Sequence, residues 1–90
     1  MHTPEYYNSF KKDRKLMIKQ DKDMNKLNEV MSLLLNEHPL LPKHANHPLQ
    51  GNYKDWWECH IESDWLLIYR IDNNNQKVIF YRTGSHSELY

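Results

Sequence analysis

Between Met24 and Leu35 the apolar residues Met24, Leu27, Val30, Met31, Leu34 and Leu35 recur at spacings of three and four. After Gly51 that period gives way to runs of aromatic and β-branched residues. The spacing lines one face of an α-helix and the later composition favours strands, so a helical first half precedes a sheet-forming second half. Asp21-Lys22-Asp23 supplies the start of the clear helix, which ends before Pro39. Upstream, Asn8-Ser9 offers an N-cap for a helix over residues 9–20, with a weaker stripe of Phe10, Leu16, Met17 and Ile18. Residues 2–7, with two adjacent tyrosines, favour a strand or an ordered arm. Residues 53–61, 65–71 and 77–82 read as three strands, separated by the turns Glu62-Ser63-Asp64 and Asp72-Asn73-Asn74-Asn75-Gln76. Short turns make these an antiparallel meander. Helices before strands predict an α+β domain with both helices on one face of the sheet.

Ninety residues suffice for a single domain, residues 1–90, burying roughly 60 to 65% of the surface an unfolded chain exposes. There is no internal repeat or linker. Cys59 has no partner for an internal disulfide, and no N-terminal apolar run precedes a small-residue cleavage site, so a cytoplasmic location is expected. The longest apolar runs, such as residues 65–71 broken by Arg70, fall well short of the roughly 20 residues of a membrane span, so no membrane partner is expected. Twelve Lys plus Arg balance twelve Asp plus Glu, which excludes a globally basic polyanion binder. The average hides an asymmetry. From Phe10 to Lys26 seven basic residues, among them Lys11, Lys15 and Lys19, face three acidic ones, an excess of four positive charges. A basic first helix on a neutral chain suits either a backbone-contacting surface or a merely solvated face.

Three histidine-bearing clusters follow: His47-Pro48-Leu49-Gln50-Gly51-Asn52-Tyr53, Glu58-Cys59-His60-Ile61-Glu62-Ser63-Asp64-Trp65 and Arg82-Thr83-Gly84-Ser85-His86. An imidazole gives or takes a proton near neutrality, with an ordinary pKa of about 6.5. His47 sits on a loop over residues 39–51, which is long for a simple connection. Strand alternation sets Lys54, Trp56, Glu58 and His60 on one face and Tyr53, Trp57, Cys59 and Ile61 on the other. The following turn is expected to return Asp64 to His60, where a carboxylate would orient the ring. Arg82 is suited to clamp a phosphate beside the Gly-Ser backbone. Trp56 and Tyr90 are suited to stack on unpaired bases, and Trp56 equally to serve as half-buried cover for the sheet. Trp65 opens an apolar strand and is read as structural. His2, His38 and His44 have no such company and are read as incidental.

These three motifs in order, together with Asp23-Met24-Asn25-Lys26-Leu27, resemble the YafQ branch of the RelE family. Its members are toxins of bacterial toxin-antitoxin systems that cleave mRNA on the ribosome. The resemblance spans nearly the whole chain. It implies a RelE-like α+β fold, with two N-terminal helices packed on a mainly antiparallel sheet of about four strands and an N-terminal strand at residues 2–7. It also implies a cleavage site lined by His47, His60, Asp64 and His86, with Arg82 on the phosphate and Tyr90 supporting the site. Glu58, where the branch often has Asp, keeps the carboxylate with a longer reach. Trp56-Trp57 is bulkier than usual.

The chemistry expected of these residues is metal-free, with no cofactor: His47 as base and His86 as acid, or the two roles exchanged, and Arg82 with charged His60, oriented by Asp64, stabilising the phosphoryl oxygens. The implied partners are the 70S ribosome with its mRNA, a cognate antitoxin, and operator DNA through the antitoxin complex alone. AAA-like lysine codons are the family's precedent. Two other readings stand beside this one. Three His and one Asp match a zinc ligand set, and the chain would equally serve as a non-catalytic antitoxin-binding or co-repressor module.

Overall fold

In a computed structural model describing residues 1–90, the Asp23 carboxylate accepts a hydrogen bond from the Asn25 backbone N–H at 3.1 Å and starts helix α2 (Met24–Leu35). Helix α1 (Asn8–Lys19) begins one residue earlier than expected, with Tyr7 at the N-cap position and no side-chain cap. Strand β1 (Thr3–Tyr6) precedes it. The second half holds β2 (His47–Pro48), β3 (Trp57–Glu62), β4 (Trp65–Asp72), β5 (Lys77–Gly84) and a final helix α3 (His86–Leu89). The sheet has five strands rather than about four, in the order β1-β5-β4-β3-β2. β1 runs parallel to β5, and the other neighbours are antiparallel.

The meander is therefore as expected, with two corrections. Residues 53–61 are not one strand: Gly51–Tyr53 forms a 3-10 turn, and Gly51 and Asp55 adopt left-handed backbone, so β3 starts only at Trp57. The second is β2, which is two residues long and lies inside the expected loop. Proline interrupts both outer strands, Pro4 in β1 and Pro48 in β2, which discourages edge-to-edge pairing with other chains.

Both long helices cover one face. Phe10 and Met17 of α1 and Leu27, Val30, Met31 and Leu34 of α2 pack on Cys59, Ile61, Trp65, Leu67, Tyr69, Val78 and Phe80. Trp65 is fully buried, and its indole N–H donates to the Thr83 hydroxyl at 2.9 Å. The central strand β4 is buried on both sides, because Leu66 and Ile68 meet Leu89 of α3 on the opposite face. That face is only partly covered, and it carries Glu58 and His60. His2 and His44 have structural surroundings: both are buried, His2 bonded to Asn73 and His44 accepting from the Leu41 backbone N–H.

Beyond Tyr6, β5 has no strand neighbour on its β1 side, and the N-cap and first turns of α1 take that role. The Tyr7 backbone N–H donates to the Phe80 carbonyl at 3.0 Å and the Ser9 hydroxyl to the Tyr81 carbonyl at 2.7 Å, while Asp13 accepts the Thr83 N–H at 3.1 Å. Edge groups that a missing strand would leave unpaired are thus satisfied. A shift in the pairing of β4 with β5 leaves Tyr81 as the extra residue of a bulge, which turns its ring toward the open face. No helix is long and apolar enough to cross a membrane.

Candidate active site

Register sets the first pair of groups. β2 exists only as His47-Pro48, and His47 lies directly opposite Glu58 of β3, a cross-strand position at which side chains meet. His47 Nε2 is 3.2 Å from Glu58 Oε1. The other carboxylate oxygen of Glu58 accepts a hydrogen bond from the Tyr90 hydroxyl. Glu58 is 5% exposed, and a buried carboxylate is tolerable because both oxygens are bonded. Burial and the Glu58 carboxylate push the Tyr90 hydroxyl above its ordinary pKa, so it remains a donor. His47 Nδ1 faces the Pro48 carbonyl at 3.2 Å, and the side chain is half exposed.

A second pair stands at the end of the β3–β4 hairpin. Asp64 does not reach toward His60 as expected. Its Oδ1 accepts the His86 backbone N–H at 3.0 Å and lies 2.7 Å from His86 Nδ1, because the hairpin turn projects at the start of α3. These bonds hold the Asp64 carboxyl below the usual carboxylate range. With Nδ1 committed to Asp64, Nε2 is the free nitrogen of His86. His60 lies between the pairs, half buried on β3, its ring centroid 6.1 Å from that of His86.

Arg82 is not a free clamp. Its Nε donates to Asp13 Oδ2 at 2.6 Å and its Nη2 to Asp13 Oδ1 at 3.2 Å, and this pairing raises the guanidinium pKa further. A guanidinium has five N–H donors, so three remain for a phosphate, aimed by Asp13. The only trace of this role in the sequence is Asp13 as a lone acid among basic residues. Trp56 stacks on Tyr81 at 4.8 Å, with Arg70 over its ring. Lys11, Lys15 and Lys19 are exposed along α1, and none makes an ion pair or hydrogen-bonds the histidine cluster.

The expected set of three His and one Asp does not converge on one point. The ligand atoms of His47, Glu58 and His60 do, lying within 4.8 Å of one another. Two imidazoles and a carboxylate suit zinc or copper. Chemically, the site offers two imidazoles each backed by a carboxylate, a third imidazole between them and an oriented guanidinium. That arrangement serves paired proton transfer at a phosphodiester.

The family model described as a bacterial toxin of type II toxin-antitoxin systems, YafQ, matches residues 2–90. A curated relative from Escherichia coli K12, described as mRNA interferase toxin YafQ, is 44% identical over 87 residues, which is 96% of this chain and 92% of the relative. A crystal structure of a metal-bound toxin from Helicobacter pylori superposes with a TM-score of 0.94 at 42% identity, covering 100% of both chains. A chain of the E. coli DinJ-YafQ complex superposes with a TM-score of 0.90 at 42% identity, covering 100% of this chain and 99% of that one.

Proposed function

The chain belongs to the YafQ family of type II toxins, and from that premise we propose that it is an mRNA interferase that cleaves ribosome-bound mRNA by metal-independent acid-base chemistry. The observation that carries the mechanism is the pair of carboxylate-backed imidazoles, His47 with Glu58 and His86 with Asp64. With Glu58 holding His47 by its Nε2 proton, Nδ1 swings free of the Pro48 carbonyl and takes the proton of the ribose 2′-OH. The 2′-oxygen bonds to the adjacent phosphorus, the bond to the 5′-oxygen breaks, and His86 Nε2 gives that oxygen its proton. A cyclic 2′,3′-phosphate and a 5′-hydroxyl result. Each proton transfer contributes roughly 100- to 10,000-fold. Arg82 and charged His60 stabilise the phosphoryl oxygens. The requirement for a 2′-OH selects RNA over DNA.

Asp64 therefore serves His86, and Glu58 takes over as the carboxylate that orients the base. Tyr90 locks Glu58 through its hydroxyl and offers an exposed ring to a base. Lys11, Lys15 and Lys19 are free to neutralise ribosomal RNA phosphates. The resident partner is a cognate antitoxin, as in the DinJ-YafQ complex, and contact with operator DNA runs through that complex.

Cleavage is tested by primer extension on ribosomes carrying a defined mRNA, with free mRNA and a His86→Ala protein alongside. Cuts on ribosomes alone, reduced at least about 100-fold by His86→Ala, are expected. Equal cutting of free mRNA would remove the ribosome from the reading, and full activity of His86→Ala would remove His86. A second reading is favoured by the convergence of His47, Glu58 and His60: these residues bind a zinc or copper ion, as the metal-bound H. pylori toxin holds a metal. Such an ion would occupy the base and inhibit cleavage. Elemental analysis, with cleavage assayed with and without a chelator, decides this.

A further inference from the structure

A belt of aromatic rings runs from the start of α1 into the histidine cluster. Tyr7 meets Trp56 edge to face at 5.7 Å and Tyr81 at 5.2 Å, and Tyr81 is 6.3 Å from Tyr53. Tyr53 is 5.8 Å from Tyr90, whose ring is 6.4 Å from that of His86. These rings lie outside the main core and none is fully buried. Trp56 is covered on one face by Tyr81 and carries the Arg70 guanidinium 4.8 Å from its ring centre, so it and Tyr81 act as a scaffold. Tyr7, 38% exposed, is the open ring at the far end. Its side chain contributes nothing to capping α1. Arg70 forms no ion pair, unlike Arg82.

We propose that Tyr7 and Arg70 form an outlying subsite for the RNA strand, in which Tyr7 stacks on an unpaired base and Arg70 neutralises a neighbouring phosphate. The inference rests on the nuclease reading, because continuity with the catalytic histidines identifies the occupant. A polymer with its reacting bond at His47 and His86 must leave the site along the surface, and this exit is paved with rings beside an unpaired cation. Every base has a π-face, so such a platform holds single strands with little regard to sequence. A guanidinium already on an aromatic ring keeps its edge donors for phosphate.

The test measures kcat and KM on ribosomes programmed with mRNAs in which each nucleotide flanking the cleaved bond is replaced in turn by an abasic one. Removing one stacked base outside the cleaved codon is expected to raise KM of the unmodified protein about 5- to 150-fold with kcat held. Tyr7→Ala raises KM by a similar factor on intact mRNA and none further on that abasic mRNA, whereas Tyr7→Phe behaves like the unmodified protein. An unchanged KM for Tyr7→Ala on intact mRNA, or a loss by the same factor on every abasic mRNA, would overturn the subsite. An unmodified protein that cuts no programmed ribosome would overturn the nuclease reading instead, and the subsite with it.

Discussion

At the scale of single residues, two carboxylates divide the work, and they differ in how far the sequence exposed them. Alternation along β3 already put Glu58 and His60 on one side. The partner of Glu58 was not readable, because it depends on a two-residue strand pairing across the sheet. Nor was the partner of Asp64: proximity in sequence pointed to His60, whereas the turn delivers it to His86, 22 positions away. The backbone and ring bonds from His86 hold the Asp64 carboxyl below its usual range. In the unfolded chain it returns to the ordinary carboxylate range. The folded state therefore binds this proton less readily, so the stabilisation is complete well above pH 4 and is lost as pH falls through the lowered value. Asp64→Asn lacks that contribution at every pH. Thermal melts of the two proteins should differ at neutral pH and converge as pH falls below the lowered value. A gap that stays constant with pH would mean the ionised carboxylate adds nothing.

At the scale of elements, α3 shows what four residues need in order to be a helix. So short a segment cannot hold itself by propensity. Ser85 accepts the Glu88 N–H, and Glu88 reaches back to the Ser85 N–H at 2.8 Å, forming a reciprocal capping box. The spacing of Ser85 and Glu88 was legible as this motif, yet the short length hid it. α3 delivers both His86 and, through buried Leu89, the Tyr90 hydroxyl to Glu58. Ser85→Ala removes a cap worth about 0.5 to 2 kcal/mol. The Leu89 and Tyr90 amides should then exchange about 2- to 30-fold faster, and cleavage should fall as Tyr90 leaves Glu58. Unaltered exchange at both amides would show that Leu89 packing alone secures the helix. β1 and α1 make the complementary case. The strand was expected from the resemblance, but its parallel pairing with β5 was not, since parallel register depends on contacts more than 70 residues apart.

At the scale of the whole molecule, the sheet separates what stabilises the chain from what it does. The helix-covered face holds the main core, and the other face holds Glu58, His60 and the aromatic belt. The alternation that created this division was visible in the sequence as a period of two. The exact start of β3 was not, because left-handed backbone at Asp55 breaks the apparent strand. Total stability for 90 residues is about 5 to 13 kcal/mol, so one core ring is a large share of it. Phe10 is 1% exposed and lies against Tyr6 and Phe80 at 5.7 Å each. Phe10→Ala should cost about 3 to 5 kcal/mol, seen as a lower urea midpoint at unchanged slope. Because Phe10 touches only the covered face, the molecules that remain folded in the cold should still cleave within about twofold of the unmodified rate, a change under 0.5 kcal/mol. His86→Ala should do the reverse, losing cleavage while costing the midpoint far less, since only the surface contact with Asp64 is removed. If Phe10→Ala lost cleavage as fully as His86→Ala while still folded, the two faces would be coupled through β5. The bulge at Tyr81, which carries the ladder from Phe80 to Arg82, would then be the element that transmits the change.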